Sequence, residues 1–305
     1  MIYGRKTDLA LEAHEINSEK GTDDGIILKE INVNGITVTE AEIKEGRGEE
    51  LSGKKAGMYI TVDMGKIWQC GHDCFKSVSK VISDNIRKLL PADMDMSEDV
   101  CLVVGLGNDK ITVDSLGPEV VSKLIVTRHL KELDNNLYKG TGFSCVAAFS
   151  TGVLGSTGIE SAELIKSAVE TVKPKCVIVI DSLASRRLER LATTVQLSDT
   201  GIAPGSGVAN HREEISRETL GVKVIAVGIP TVVDSATLVC DLLENCESDE
   251  EQIKKAFAES GKSFFVSLKE SDMIIKATVK LLSMSINTAL HHNISADELE
   301  EYADY

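Results

Sequence analysis

Two short apolar runs, each followed by an aspartate, constrain the fold of this chain more than any other feature. The run at 177–180 leads directly to Asp181, and the run at 101–106 is followed shortly by Asp114. Continuous apolar runs of this length are typical of parallel strands buried on both faces. Ligands of parallel sheets bind in the crevice beyond the carboxyl ends of the strands. The two aspartates are therefore predicted to face one crevice.

From residue 100 onward, strand and helix patterns alternate along the chain. Strand patterns cover 101–106, 143–149, 176–180 and 222–229. Helical patterns cover 120–130, 159–172, 232–246, 249–259 and 272–292, with a further helix around Leu188 and Leu191. This alternation predicts an α/β fold, with a mostly parallel twisted sheet covered by helices on both faces.

The first 95 residues have a different organisation. Asn34-Gly35 separates two strand patterns and predicts a β-hairpin, followed by a third strand at 58–62. Residues 1–8 are polar and predict a loose arm, and 9–19 have a helical pattern. We predict one domain over residues 9–305, in which 9–95 is an N-terminal elaboration and 96–305 is the core.

Charge and apolar patterning exclude several classes of partner. The net charge of −15 disfavours binding to DNA or RNA. No apolar run reaches the roughly 18 residues of a membrane helix, and the N-terminus lacks the apolar core of a signal peptide. The seven cysteines have no framework spacing, which favours a reducing, intracellular compartment. Cys70 and Cys74 lack zinc-site spacing and are predicted to be helix-start and core residues.

Nucleotide binding and nucleophilic catalysis are poorly supported. The phosphate-binding motif G-x-x-x-x-G-K-[ST] is absent, and Lys110 stands where a dinucleotide fingerprint needs its third glycine. No G-x-S-x-G motif is present. His129, His291 and His292 are candidate metal ligands, or, for the last two, cations at a helix end.

Asp114 and Asp181 allow two interpretations. Two neighbouring carboxylates cannot both ionise easily, so one can act as a base while the other holds a proton. That asymmetry suits the activation of water and the protonation of a leaving amine. Alternatively, each aspartate only caps the helix that follows it. Composition does not choose between the two.

The segments around these aspartates resemble the germination protease family of endospore-forming bacteria. The similar segments are Val103-Val104-Gly105-Leu106-Gly107-Asn108, Thr112-Val113-Asp114-Ser115-Leu116-Gly117-Pro118, Val126-Thr127-Arg128-His129-Leu130, Thr157-Gly158-Ile159-Glu160, Ile180-Asp181-Ser182-Leu183-Ala184-Ser185-Arg186, Gln196-Leu197-Ser198-Asp199-Thr200-Gly201-Ile202, Pro204-Gly205-Ser206-Gly207, Arg212-Glu213-Glu214-Ile215-Ser216, Glu218-Thr219-Leu220-Gly221, Gly228-Ile229-Pro230-Thr231-Val232-Val233-Asp234 and Asn287-Thr288-Ala289-Leu290-His291-His292. They follow one another along most of the chain.

The resemblance implies an atypical aspartic endopeptidase with a fold like that of the hydrogenase maturation proteases. It implies that Asp114 and Asp181 are the catalytic residues and that no metal or cofactor takes part. Its implied substrates are the small acid-soluble proteins of the spore, degraded at germination. It also implies a homotetramer in the cytoplasm of the forespore and in the spore core, with no contact to nucleic acid or membrane.

The enzymes of this family are made as zymogens that remove their own N-terminal arm. Thr7-Asp8-Leu9-Ala10 is similar to the family's cleavage site, which implies a cut between Asp8 and Leu9 and a propeptide of residues 1–8. This propeptide is shorter than in some relatives, and 236–270 is compact. Val113, Ser115 and Ser182 also depart from residues that are common in the family, but neither carboxylate is lost.

Glycine-rich loops beside the two aspartates are further candidates. We expect 152–158 and 201–207 either to line the crevice and offer N–H donors to an oxyanion, or to be tight turns. The candidate crevice residues are Gly158, Glu160, Ser198, Asp199, Gly205 and Gly207. Two other functions remain open: a metallopeptidase that uses His129 or another histidine with the aspartates, and a binding module without enzymatic activity.

Overall fold

The structure is a computed structural model that describes residues 7–12, 25–205, 212–242 and 264–303. The strands are β1 (Ile26–Val33), β2 (Ile36–Ile43), β3 (Gly57–Asp63), β4 (Cys101–Gly105), β5 (Val146–Ser150), β6 (Cys176–Ser185), β7 (Thr194–Ser198), β8 (Lys223–Asp234) and β9 (Phe265–Val266). The helices are α1 (Arg47–Ser52), α2 (His72–Leu89), α3 (Leu116–Ser122), α4 (Arg128–Leu133), α5 (Asn135–Lys139), α6 (Leu154–Thr157), α7 (Ser161–Val172), α8 (Arg217–Leu220), α9 (Ser235–Leu242), α10 (Ser271–Leu290) and α11 (Ala296–Tyr302). The predicted helix at 249–259 lies outside the described residues.

All nine strands of the described residues belong to one sheet. Its order is β1-β2-β3-β7-β8-β6-β4-β5, with β9 paired to β8. The four strands β8, β6, β4 and β5 are parallel to one another and form the centre of the fold. The prediction of an α/β fold with a parallel central sheet is confirmed. The predicted hairpin is also confirmed, and its strands continue the same sheet through β3 and β7.

The two faces of the sheet bury alternate residues of each strand. Ile178 and Ile180 of β6 pack in the larger core, against α2, α3 and α10. Val177 and Val179 pack in a second core, against α7. Because side chains alternate between the faces of a strand, burial on both sides requires an unbroken apolar run, as the sequence has at 177–180.

Helix α10 is the central helix of the larger core. In the described part of the chain it is the one helix long and apolar enough to cross a membrane, and 72% of its most apolar stretch is buried inside the protein. A helix buried in the core of a folded protein can be equally long and apolar, so this feature is weak evidence for a membrane span.

Several element boundaries differ from the sequence-based prediction. β6 does not end at Asp181 but stays paired with β8 as far as Ser185. The helix predicted around Leu188 is a single 3-10 turn over Leu188–Arg190. The helix predicted over 120–130 is broken after Ser122, because the Asn287 side chain binds the backbone of residues 123 and 125 across the break.

The cysteines only partly follow the prediction. Cys101, Cys145 and Cys176 are buried, as predicted. Cys74, by contrast, is exposed on the first turn of α2 and forms a disulfide with Cys70. The predicted helix-start position is confirmed for Cys74, and Cys70 is half-buried against the larger core. The prediction of a core position was wrong for Cys74, because it lies on the side of the first helical turn that faces solvent.

Candidate active site

Asp181 lies inside β6, with β4 and β8 on either side. Its side chain projects to the same face as Val177 and Val179, and only 7% of its surface is exposed. One carboxylate oxygen, Oδ1, accepts a hydrogen bond from the Ser182 N–H at 2.9 Å. The strand therefore holds a nearly buried carboxyl group rigidly at the boundary between the core and the crevice.

Asp114 reaches the same place through a tight turn after β4. The Asn108 N–H donates to the Asp114 carbonyl at 2.9 Å, and Gly107 has a φ of +112°. A Cβ at Gly107 would lie 2.1 Å from the Asp114 carbonyl oxygen. Only glycine fits this position.

Two further glycines bring the start of α3 onto the parallel strands. A Cβ at Gly105 would lie 2.3 Å from the Gly117 carbonyl oxygen, and one at Gly117 would lie 2.7 Å from the Ile180 carbonyl oxygen. This close backbone packing places the turn that carries Asp114 beside the strand that carries Asp181. We refer to Asp114 and Asp181 as the aspartate pair.

The aspartate pair has a strong tendency to hold a proton. Burial raises the pKa of Asp181 well above its usual value, and the charges of Asp114 and Asp8 raise it further. Burial also raises the pKa of Asp114, against the opposing effects of the Asn108 N–H and of Arg212. Because the charge of Asp114 disfavours ionisation of Asp181, one carboxyl can stay protonated while its partner ionises.

Neither aspartate caps a helix, so the capping interpretation was wrong. Asp181 lies within a strand, and the residue at the N-cap of α3 is Ser115. The pairing of β4 with β6 and the close glycine contacts instead keep both carboxyl groups together.

Arg212 is a residue of this site that the sequence did not assign. Its positive charge partly offsets the rise in the pKa of both aspartates. Its guanidinium lies 4.0 Å from the carboxylate of Glu160, at the start of α7. Glu160, predicted to line the crevice, is therefore connected to the aspartate pair through Arg212.

Residues 7–12 span the predicted cleavage site and lie in the site. We call this segment the arm, and by loss of the arm we mean the loss of residues 1–8 through cleavage within it. The Asp8 N–H donates to the Ala184 carbonyl at 2.9 Å, and the Ala184 N–H donates to Asp8 Oδ2 at 2.8 Å. Leu9 and Ala10 are buried. The prediction of a loose arm was wrong for Asp8, which bonds to β6, and for Thr7, which bonds to Glu12 and Lys54. Residues 1–6 lie outside the described part of the chain.

The carboxamide of Gln196, on β7, contacts both sides of the Asp8–Leu9 bond. Gln196 Nε2 donates to the Asp8 carbonyl at 3.0 Å, and the Ala10 N–H donates to Gln196 Oε1 at 2.6 Å. No functional role was predicted for Gln196 from the sequence. The available signal was a polar residue on a strand whose neighbours Val195 and Leu197 are core residues.

Glu12 anchors the far end of the arm in a fully buried position. Its carboxylate accepts the backbone N–H groups of Arg186 at 2.7 Å and of Arg187 at 2.9 Å. It also accepts the Thr7 hydroxyl and lies 3.5 Å from the Arg190 guanidinium. These contacts fix both ends of the arm to the segment that follows β6.

Lys54 adds a positive charge beside the arm. Its ammonium donates to the Thr7 carbonyl at 3.3 Å. Burial lowers the pKa of Lys54, and the charges of Asp8 and Glu12 oppose that shift. The arm thus occupies a groove that offers compensating charge to its acidic residues.

The other predicted crevice residues make contacts with the backbone or lie at turns. Asp199 Oδ1 accepts the Met58 N–H at 2.9 Å and so joins β7 to β3, and the Ser198 hydroxyl lies 3.4 Å from the Gly201 carbonyl. Gly158 is exposed at the end of α6 with φ +71°. Gly205 is half-buried at a positive φ, and Gly207 lies outside the described residues.

The histidines give no support to a metal site. His129 is exposed on α4, and in the described ranges no group of three or more potential ligands could hold a metal ion. His291 is buried, accepts the Ser144 N–H at Nδ1 and contacts the Ile125 carbonyl through Nε2. Burial lowers its pKa to about 4, so it is a neutral structural residue and not a cation at the helix end.

Comparison with known proteins connects this site to one family. A family model described as germination protease matches residues 6–247. The germination protease of Caldanaerobacter subterraneus subsp. tengcongensis is 42% identical over 99% of this chain and 98% of its own length. Those of Clostridium tetani and Bacillus cereus are 39% and 34% identical, over 97% and 98% of this chain and 98% and 97% of their own lengths.

One solved structure also resembles the chain. It is the [NiFe] hydrogenase maturation protease HycI from Thermococcus kodakarensis, at 13% identity and a TM-score of 0.34, covering 66% of this chain and 98% of its own. These three relatives, together with a family match over most of the chain, show that the protein belongs to the germination protease family and is a peptidase of spore germination.

Proposed function

We propose that the protein is an aspartic endopeptidase in which Asp114 and Asp181 activate a water molecule. The observation that carries this proposal is a pair of carboxyl groups whose pKa values are both raised, with a peptide segment bound beside them. The ionised carboxyl takes a proton from a water molecule as the oxygen of that water attacks the peptide carbonyl carbon. The protonated carboxyl donates to the amide nitrogen as the C–N bond breaks.

We also propose that the protein is a zymogen that cleaves itself between Asp8 and Leu9. The arm that contains this bond is bound in the groove, and the charge of Asp8 acts on Asp181. Residues 1–8 would then be the propeptide, and 9–305 the mature peptidase domain. The arm blocks the groove to other substrates until it is cut.

Family membership supports the proposed substrates and location. We propose that the substrates are small acid-soluble spore proteins, that the enzyme is a homotetramer in the forespore and spore core, and that it uses no cofactor. The net charge of −15 makes the enzyme a poor ligand for DNA and is compatible with a basic or neutral protein partner.

The test is the intact mass of three proteins after incubation at mildly acidic pH: wild type, Asp114→Asn and Asp181→Asn. Wild type is expected to lose residues 1–8, and both variants are expected to keep them. Asp73→Asn, an exposed aspartate on α2, is the matched control and is expected to behave as wild type. Incubation with a chelator is expected to change nothing.

Loss of the arm from either variant at the wild-type rate would disprove the catalytic role of the aspartate pair. Inhibition by a chelator would instead favour the metallopeptidase. If wild type keeps its arm, the same three proteins are incubated with a small acid-soluble spore protein. Failure to cleave that substrate would refute the endopeptidase proposal.

A further inference from the structure

Gln196 and Asp181 lie in one row of the sheet. Each is paired with Gly228 of β8, Gln196 from β7 and Asp181 from β6. Residues in one row project to the same face, and the backbones two strands apart are separated by about 10 Å. Gly228 places no side chain between them, and an added Cβ there would lie 2.6 Å from Leu183 Cγ.

The orientation of the Gln196 carboxamide is fixed by its two partners. The Asp8 carbonyl only accepts and the Ala10 N–H only donates, so Nε2 must face Asp8 and Oε1 must face Ala10. A flipped amide would lose both bonds. Since Gln196 is buried, these bonds form away from bulk water, where each is electrostatically stronger.

We propose that Gln196 is a catalytic residue that binds the oxyanion during peptide cleavage. This inference rests on the proposed cut between Asp8 and Leu9. As the water oxygen bonds to the Asp8 carbonyl carbon, the π electrons of the C=O bond move to the carbonyl oxygen, which gains negative charge. Gln196 Nε2 already donates to that oxygen, and the bond strengthens as the charge develops.

The electrons return when the C–N bond breaks. The carbonyl re-forms as the carboxyl group of Asp8, and the Leu9 nitrogen leaves with a proton from the aspartate pair. Meanwhile Oε1 keeps the Ala10 N–H, so the carboxamide holds both sides of the cleaved bond in place. Gln196 here fills the role that the sequence suggested for the N–H groups of the glycine loops.

The experiment measures cleavage and arm binding separately. The first-order rate of arm loss is followed by intact mass for wild type, Gln196→Met and Gln196→Glu. Arm binding is followed by hydrogen exchange of the Asp8 amide, which bonds to Ala184 and not to Gln196, with the Asp181→Asn substitution added to each protein to keep the arm intact. Thr194→Val, two residues earlier on the same strand and face, is the matched control.

Both Gln196 variants are expected to cleave about 10²- to 10³-fold more slowly, the usual effect of removing one oxyanion donor. Gln196→Met loses both bonds to the arm, whereas Gln196→Glu retains the acceptor for Ala10 but turns an oxygen towards the Asp8 carbonyl. In each variant the protection of the Asp8 amide is therefore expected to fall by less than the cleavage rate. Thr194→Val is expected to match wild type in both measurements.

Cleavage by both variants within about threefold of wild type would overturn the inference. So would loss of Asp8 protection in Gln196→Glu equal to its loss of rate, since Gln196 would then only hold the arm. These outcomes leave the proposed function intact as long as Asp181→Asn is inert. A wild type that keeps its arm, or an active Asp181→Asn, would overturn both.

Discussion

The Glu12 anchor allows a quantitative prediction about arm binding. Glu12→Gln keeps the shape of the side chain but replaces one carboxylate oxygen by an NH₂ group, which cannot accept an N–H. One of the bonds from Arg186 and Arg187 is therefore lost, and a backbone N–H is left facing a donor. A hydrogen bond to a charged group contributes about 1.5–3 kcal/mol, and the attraction to Arg190 at 3.5 Å is also lost.

We expect the arm of Glu12→Gln to be released about 3 kcal/mol more easily, which corresponds to an increase of roughly 100-fold in the exchange rate of the Asp8 and Ala10 amides. The assay is native-state hydrogen exchange, with Asp181→Asn present in every protein so that the arm stays intact. Glu50→Gln makes the same chemical change at an exposed position on α1 and serves as the control.

Two results would refute this reasoning. Exchange of both amides within about threefold of the parent protein would show that Glu12 does not anchor the arm. An equal acceleration in Glu50→Gln would show that the loss of one acidic charge, and not the buried contacts, controls arm binding.

Three further predictions concern the fold and the aspartate pair. His291 has a pKa of about 4 in the folded protein against 6.5 in the unfolded protein, so the unfolded state binds the proton first as pH falls. The free energy of unfolding is therefore expected to drop by about 3 kcal/mol between those two pH values. Denaturant unfolding of His291→Gln should show a weaker drop, and an equal dependence on pH in both proteins would contradict the assignment. Burial raises the pKa of Asp181, so the folded state holds this proton more tightly than the unfolded state. The stabilisation that the bound proton provides declines as pH rises above 3.8, and the melting temperature of Asp181→Asn should therefore rise relative to wild type with increasing pH. A difference in melting temperature that stays constant with pH would contradict this prediction. Gly105→Ala would force a Cβ to 2.3 Å from the Gly117 carbonyl oxygen, which should lower the free energy of unfolding by about 2 kcal/mol or more and stop self-cleavage. In the control Gly155→Ala the added Cβ meets no atom within 4 Å, so neither effect is expected. Equal melting temperatures for the two variants would refute the packing argument.

The parallel core and the positions of the two aspartates were predictable from sequence. Unbroken apolar runs such as 177–180 occur where both faces of a strand are buried, and the turn residues Asn34-Gly35 fix a hairpin locally. Asp114 and Asp181 follow or lie within such strands, so their approach to one another was implied by the strand pairing. These signals are local, because they depend on periodicity and turn chemistry within a few residues.

The tertiary structure alone decided what surrounds the aspartate pair. Gln196 lies 186 residues from Ala10 along the chain, and Arg186 lies 174 residues from Glu12. The antiparallel pairing of β7 and the binding of the arm depend equally on contacts that no periodicity encodes. A buried carboxylate or carboxamide is stable only where distant donors and acceptors meet it, so a sequence shows the polar residue but not its partners.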